Sequence, residues 1–262
     1  MGGCILQKRC LGKSGIEVSV LGLGTVKFGR NQGVKYPATF TLPKDHEIEY
    51  LLEIAKELGI NLLDTAPAYG CSEERLGKLL AGKRQEWIIS TKAGEEFIDG
   101  QSYFDFSKVA IRKSVERSLK RLRTDYLDVV LVHSNGEDER IIHEDQVFDT
   151  LAALKAEGKI RAYGMSTKTV AGGLLTIDRA DVAMVGFNPA YTEEHQVIIE
   201  AQQKQKGIFI KKALASGHLH TLGVTNPVAD TMKFILAEAG VTSVIVGTIN
   251  SAHLRENVAS LK

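Results

Sequence analysis

Short apolar runs alternate with amphipathic segments along nearly the whole chain. Each run is rich in Val, Ile and Leu, and apolar residues recur every third or fourth position in the segment that follows, as on one face of an α-helix. The runs read VSVLGLGT, NLLDTA, WIISTK, YLDVVLVHS, IRAYGMST, VAMVGFN, GIFIKKAL and VTSVIVGT. The predicted helices cover residues 46–58, 72–81, 107–123, 145–157, 168–178, 193–205, 226–239 and 251–261. The pattern therefore predicts eight strand–helix units.

Eight such units in 262 residues predict an α/β fold, a (β/α)8 barrel formed as a single domain over residues 1–262. Strands buried on both faces of a parallel sheet appear as continuous apolar runs rather than as alternating ones. A doubly wound open sheet is the alternative. Before the first run, QKRCLGKSGIEVS predicts a β-hairpin that caps the bottom of the barrel. Good N-cap residues precede or open several of the predicted helices, namely Asp45, Ser72, Ser107 and Asn226.

Composition narrows the class of protein further. The chain is 44% hydrophobic and 25% charged, with a formal net charge of +1, which argues against nucleic-acid and anionic-membrane partners. No stretch approaches the roughly 18 continuous apolar residues of a membrane span, and the start lacks a signal-peptide core. The cysteines Cys4, Cys10 and Cys71 show neither disulfide-framework nor zinc-site spacing. These features favour a cytoplasmic protein and leave its oligomeric state open.

Active sites of such barrels form where the strands end and the following loops begin. Strand two ends at Asp64 with Tyr69 in its loop, strand three ends at Lys92, and strand four ends at His133. An ammonium group at the end of an apolar strand is costly to desolvate without a carboxylate nearby, and Asp64 on the adjacent strand is the natural partner of Lys92. A charged Lys92 would lower the pKa of Tyr69 towards neutrality and make the phenol a proton donor.

Three of these four residues also have a simple structural explanation, whereas Lys92 is harder to explain in this way. Asp64 could bond only turn amides, Tyr69 could lie on the surface, and a single histidine is more often a hydrogen-bonded core residue than a catalyst. A desolvated Lys92 would also permit a Schiff-base lyase. The convergence of an acid, a phenol, an amine and an imidazole at one mouth favours a catalytic site.

Blocks of the sequence resemble the aldo-keto reductase family, in family order and nearly end to end. They are LGLGTVKFG, GINLLDTAPAYG, STKAG, SVERSLKRLRTDYLDVVLVHS, GKIRAYGMST and VTSVIVGTINSAHLRENV. The resemblance implies hydride transfer from a reduced nicotinamide to the carbonyl of an aldehyde or ketone, with no metal. By this resemblance Tyr69 is the general acid and Lys92 is the neighbour that lowers its pKa. Asp64 is the partner of Lys92, and His133 orients the substrate carbonyl.

The same resemblance implies a set of cofactor-binding residues. Those near the nicotinamide are Gly24, Thr25, Ser166, Thr167, Asn188 and Tyr191. Those near the pyrophosphate are Lys212, Leu214 and Ser216, and those near the adenosine are Thr248, His253, Glu256 and Asn257. Thr167 and Asn188 stand where the family commonly has Asn and Gln, and Val26 stands where many members have Trp, which implies a wider substrate pocket.

The resemblance leaves the cofactor and the biological role partly open. Members that require NADPH commonly have a Lys or Arg where this chain has Gly247 and His253, so we expect NADPH to be preferred modestly and NADH to be used as well. A one-residue slip of the alignment would bring Arg255 to the phosphate instead. The cytosolic β-subunits of potassium channels resemble reductases too, so a cofactor-binding regulatory protein is the alternative to an enzyme.

Overall fold

The computed structural model describes residues 6–261. The strands are β1 (Lys8–Cys10), β2 (Glu17–Ser19), β3 (Leu21–Gly24), β4 (Leu62–Asp64), β5 (Ile88–Ala93), β6 (Glu95–Ile98), β7 (Gln101–Phe104), β8 (Leu127–His133), β9 (Ile160–Ser166), β10 (Val182–Gly186), β11 (Gly207–Lys211) and β12 (Ser243–Val246). The helices are α1 (Val26–Gly29), α2 (Asp45–Glu57), α3 (Ser72–Leu79), α4 (Lys108–Leu122), α5 (Asp138–His143), α6 (Val147–Ala156), α7 (Val170–Arg179), α8 (His195–Lys204), α9 (Pro227–Leu236) and α10 (Ser251–Ala259). Short 3₁₀ turns lie at Arg84–Glu86, Ala215–Gly217 and Leu219–Leu222.

Eight strands form a closed parallel barrel in the order β10-β11-β12-β3-β4-β5-β8-β9. Helices lie between successive barrel strands, as the apolar runs and amphipathic segments predict, so the (β/α)8 barrel is confirmed and the open sheet is wrong. Along each strand, side chains that point into the barrel alternate with side chains that face the helices. Leu62, Val129, Leu131 and Phe209 point inward and belong to one central apolar cluster.

The predicted N-terminal hairpin is present and closes the bottom of the barrel. Strands β1 and β2 pair antiparallel, from Lys8 opposite Ser19 to Cys10 opposite Glu17. Leu11, Ile16 and Val18 belong to the same cluster as the barrel interior, so this end of the barrel is filled with side chains. The N-terminal residues 1–5, including Cys4, lie outside the described residues.

Two of the four predicted N-caps are confirmed. The side chains of Ser107 and Asn226 accept hydrogen bonds from the backbone N–H groups of Ala110 and Ala229. Asp45 and Ser72 instead occupy the first position of their helices. The Ser72 hydroxyl is engaged elsewhere, because it donates to Thr25 and accepts from Thr65.

The sequence pattern did not predict the second hairpin, formed by β6 and β7. It follows β5 directly and turns at Asp99 and Gly100, which both have left-handed backbone conformations with φ of 51° and 82°. Such a pair suits a tight hairpin turn whose twist matches that of the strands. The hairpin stands beside the carboxyl ends of the barrel strands. Among residues 6–261, no helix is long and apolar enough to cross a bilayer.

Candidate active site

The site residues reach the barrel mouth because alternate strand positions face the barrel interior. Leu62 lies in the central apolar cluster, and Asp64 follows it by two positions on β4. His133 follows Leu131 in the same way on β8, and Lys211 follows Phe209 on β11. The last inward positions of these strands are therefore polar and face a common opening.

Lys92 is fully buried and is held by Asp64. Its Nζ lies 2.7 Å from Oδ2 of Asp64 and donates to the backbone carbonyl of Thr65 at 2.9 Å. The other carboxylate oxygen of Asp64 accepts from the Ser90 hydroxyl at 3.1 Å. Burial alone would lower the pKa of Lys92, but the charges of Asp64 and Tyr69 outweigh it and raise the pKa above its ordinary value. The predicted Asp64–Lys92 pair is therefore present, and the ammonium keeps its proton.

The Tyr69 ring lies against Lys92, with the ammonium nitrogen 4.8 Å from the ring centroid. Lys92 lowers the pKa of the phenol, but burial raises that pKa more strongly, and the Asp64 charge adds to the increase. The net pKa of Tyr69 is raised. The prediction that Lys92 brings this pKa towards neutrality is therefore wrong in its net result, because the site is more desolvated than the sequence indicates.

His133 stands edge-on to Tyr69, with ring centroids 6.3 Å apart and planes at 85°. Its Nδ1 lies 2.6 Å from Oε2 of Glu95, the first residue of β6. The oxygen lies off the axis of the ring N–H bond, so the contact acts mainly through charge. Burial lowers the pKa of His133, and the Glu95 carboxylate opposes this shift.

Two adjoining cavities open beside these residues, of about 650 Å³ and about 480 Å³. Every predicted site residue lines one or both. The larger cavity is lined by Asp64, Tyr69, Lys92, His133, Gly24, Thr25, Ser166, Lys212, Leu214, Ser216, Thr248, His253, Glu256 and Asn257. The smaller one is lined by Thr167, Asn188 and Tyr191, and it shares Lys212 and Ser216 with the larger.

Some of these side chains are already engaged within the protein. The Asn188 amide donates to the carbonyl of Lys212 at 3.0 Å and accepts from the N–H of Ala190 at 2.9 Å. Asn188 and Tyr191 also exchange backbone hydrogen bonds. Asn188 thus fastens the loop after β10 to the loop after β11. At the predicted adenosine end, His253 lines the larger cavity, whereas Arg255 pairs with Glu57 on α2.

Lys211 is a functional candidate that the sequence reasoning missed. Its ammonium donates to the Ser166 hydroxyl at 3.0 Å and to the backbone carbonyl of Thr167, and it lines both cavities. Burial lowers its pKa to about 8, although Glu194 opposes that shift. The sequence signal that could have found it is the two-residue period of a strand. Counting by twos from Gly207 and Phe209, the next inward-facing position of β11 is Lys211 rather than Lys212.

The irregular segment between α1 and α2 also contributes to the mouth. Tyr36 and Lys35 line the larger cavity, and burial raises the pKa of Tyr36 to about 12. The Lys27 ammonium lies 4.0 Å from the centroid of the Tyr36 ring. On the far side, the backbone carbonyl of Lys35 lies 3.3 Å from Nε2 of His218 in the loop after β11. The segment therefore crosses the opening from β3 to β11.

The closed barrel with its polar mouth places the protein in the class of (β/α)8-barrel proteins whose sites lie at the carboxyl ends of the strands. The sequence matches the model of the aldo/keto reductase family over residues 20–227, and the chain belongs to that family. Members act on small carbonyl compounds with nicotinamide cofactors.

Three relatives illustrate the similarity. The chain is 30% identical over 293 residues to the uncharacterized oxidoreductase YqkF of Bacillus subtilis (strain 168), covering 97% of this chain and 90% of that protein. It is 35% identical over 173 residues to the NADH-specific methylglyoxal reductase of Escherichia coli (strain K12), covering 61% and 51%. The solved structure of PA4992 from Pseudomonas aeruginosa, assigned to the aldo-keto reductases, has 52% identity and a TM-score of 0.88, covering 97% and 93%.

Proposed function

We propose that this protein is a cytoplasmic, NADPH-preferring reductase that reduces the carbonyl of an aldehyde or ketone with Tyr69 as general acid. The observation that carries the proposal is the buried Lys92–Asp64 pair beneath the Tyr69 ring, next to His133, at the floor of a cavity of about 650 Å³. This cavity is large enough for a substrate and part of a dinucleotide.

The residues around the cavities fit a nicotinamide dinucleotide. Two adjacent ammonium groups, Lys211 and Lys212, stand with Ser216 beside the loop after β11, where a pyrophosphate needs cations and donors. Ser166 and Thr167 supply hydroxyl groups for the carboxamide, and Thr248 and His253 face the adenosine end. The bound cofactor supplies the hydride.

Tyr69 gives its proton to the carbonyl oxygen as the carbonyl carbon receives the hydride. Its raised pKa keeps the phenol protonated at neutral pH, so the donor is present before the reaction. Lys92 then stabilises the phenolate that forms, because its ammonium is fixed 4.8 Å from the ring centroid. Asp64 keeps that ammonium charged and in place, and His133 orients the carbonyl oxygen.

The geometry gives little support to a Schiff-base lyase. An imine-forming lysine needs a free amine, whereas the raised pKa of Lys92 and its bonds to Asp64 and Thr65 hold it as an ammonium ion.

Reduction of a panel of aldehydes and ketones, followed through oxidation of NADPH, tests the proposal. We expect Tyr69→Phe to lower kcat by about 10²- to 10⁴-fold, because a positioned general acid has been removed. The dissociation constant for NADPH should stay within about twofold by fluorescence titration. Tyr50→Phe is the matched control, since Tyr50 is 57% exposed on α2. Retention of more than half the turnover by Tyr69→Phe would contradict the role of Tyr69, and an inactive wild type that binds NADPH tightly would favour a regulatory protein.

A further inference from the structure

We infer that Glu95 is a positioning residue that forces His133 to carry its proton on Nδ1, so that His133 can donate to a substrate oxygen only as the doubly protonated imidazolium. The inference rests on the proposed function, because it concerns how His133 serves carbonyl reduction. Its own evidence is the contact between the β6–β7 hairpin and the end of β8.

The hairpin fixes the Glu95 carboxylate against the imidazole. Glu95 is 8% exposed and is separated from Lys92 by only two residues along the chain. One carboxylate oxygen accepts from the Ser102 hydroxyl across the hairpin at 2.6 Å, and the other lies 2.6 Å from Nδ1 of His133. Both oxygens are thus in use, so the carboxylate has little freedom to turn away.

A second contact holds the hairpin against the catalytic loop. The Arg30 guanidinium stacks on the Phe97 ring of β6, with 3.3 Å from Cζ to the ring centroid, and donates to the carbonyl of Ala68 at 3.1 Å. Ala68 directly precedes Tyr69. Burial raises the pKa of Glu95, but the close contact with His133, the hydrogen bond from Ser102 and the charge of Arg30 outweigh it and lower that pKa to about 2. Glu95 therefore stays ionised.

The contact determines which tautomer His133 adopts. An ionised carboxylate oxygen 2.6 Å from Nδ1 repels the partial negative charge that an unprotonated ring nitrogen carries, and this repulsion disfavours the neutral tautomer with its proton on Nε2. The neutral ring then carries its proton on Nδ1, and its Nε2 can only accept. A hydrogen bond from Nε2 to a carbonyl oxygen requires a second proton on the ring.

The charges around His133 set when that second proton is present. Lys92 from β5 and Lys211 from β11 oppose the imidazolium, Glu95 from β6 favours it, and Tyr69 stands edge-on. Burial and the two lysines outweigh Glu95, so the pKa of His133 lies below its ordinary value of about 6.5. The imidazolium is thus a minority form at neutral pH, and its population falls roughly tenfold per pH unit above that pKa.

The pH dependence of kcat/KM tests the inference in the wild type and in Glu95→Gln. We expect the wild-type value to fall roughly tenfold per unit as pH rises above the pKa of His133. In Glu95→Gln the amide can donate to an unprotonated Nδ1, which frees Nε2–H in the neutral ring. The kcat/KM of the variant should therefore not fall as pH rises through this range, and at pH 8 it should exceed the wild-type value by at least fivefold. Glu96→Gln is the matched control, because Glu96 is the next residue of β6 but pairs with Arg117 of α4.

A spectroscopic readout separates this inference from the proposed function. Nitrogen chemical shifts of ¹⁵N-labelled histidine, assigned with His133→Asn, report the tautomer without any turnover. We expect His133 in the wild type at pH 8 to carry its proton on Nδ1, and in Glu95→Gln to shift towards Nε2. A wild-type proton on Nε2, or an unchanged spectrum and pH profile in Glu95→Gln, would overturn the inference. An inactive protein with the Nδ1 tautomer would overturn only the proposed function.

Discussion

Lys92 and Lys211 show how two ammonium groups in one cavity acquire different properties from their neighbours. Lys92 has a carboxylate partner at 2.7 Å, and its pKa is raised. Lys211 bonds to a hydroxyl and to a backbone carbonyl, and burial lowers its pKa to about 8. Desolvation lowers the pKa of both lysines, so the presence of a close anion decides whether the net pKa is raised or lowered.

Because of this difference, we expect replacement of Lys92 to destabilise the fold and replacement of Lys211 to stabilise it. The first prediction concerns Lys92→Met. The substitution leaves the buried Asp64 carboxyl without its partner, which should lower the free energy of unfolding by about 3–5 kcal/mol at pH 7. Because the pKa of Lys92 is raised in the folded state, the stabilisation is fully present below the unfolded value of about 10.5 and is lost as pH rises through the folded value. Denaturant unfolding measures the change. The double variant Asp64→Asn with Lys92→Met should recover part of it, and equal losses in single and double variants would contradict a coupled pair.

The second stability prediction concerns Lys211→Met. In the folded state the charged form of Lys211 is disfavoured, so it destabilises the fold below about pH 8, and this penalty shrinks as pH rises towards the unfolded value of about 10.5. Lys211→Met should therefore unfold at a higher temperature than the wild type at pH 7, and the difference should narrow at pH 9.5. Lys206→Met on the preceding turn is the control. A difference in Tm that is independent of pH would show that Lys211 is not titrating as its burial requires.

At the scale of elements, burial decides what the sequence could predict. The barrel strands are buried on both faces, so their composition alone indicates them, and all eight were predicted. Strand β7 is exposed along its whole length and carries no apolar run, so the β6–β7 hairpin was missed together with Glu95. The Asp99–Gly100 pair was the available signal. Lys211 was missed for a different reason: both adjacent lysines line the cavities, but only Lys211 continues the inward-facing positions of β11, and this depends on a strand phase that shifts with a one-residue error.

The hairpin also offers an element-scale prediction through Gly94. A Cβ on Gly94 would lie 2.7 Å from two ring atoms of Phe106, so Gly94→Ala should push the start of β6 away from β8. We expect this variant to reproduce the pH profile of Glu95→Gln. Gly82→Ala is the matched control, since Gly82 has a comparable left-handed φ of 75° but open space around its Cβ. Both substitutions should lower the free energy of unfolding by about 1 kcal/mol through backbone strain. If both variants kept the wild-type pH profile, the position of the hairpin would not be coupled to His133.

The whole molecule has almost no net charge, yet its mouth is basic. The formal net charge is +1 from 33 basic and 32 acidic residues. The lining of the larger cavity contains the lysines Lys27, Lys35, Lys92, Lys168, Lys211 and Lys212, against the acids Asp64 and Glu256. The Lys92–Asp64 pair is internally neutral, so the remaining lysines set a positive field at the opening. Such a field attracts a polyphosphate ligand and weakens as salt shortens the Debye length.

This distribution of charge predicts the choice between NADPH and NADH. In the proposed binding mode the basic mouth attracts the pyrophosphate that both cofactors share. We therefore expect discrimination to come from the few groups near the 2′-phosphate, where Gly247 has no side chain and the Thr248 hydroxyl donates to the carbonyl of Asn250 at 3.3 Å. His253 lines the cavity there, and its ring N–H can donate one hydrogen bond to a phosphate oxygen. We therefore expect the ratio of kcat/KM for NADPH over NADH to be modest. His253→Ala should lower the ratio, whereas Arg255→Ala should leave it unchanged, because Arg255 pairs with Glu57 away from the cavity. A large NADPH preference that survives in His253→Ala and disappears in Arg255→Ala would assign the phosphate contact to the arginine instead.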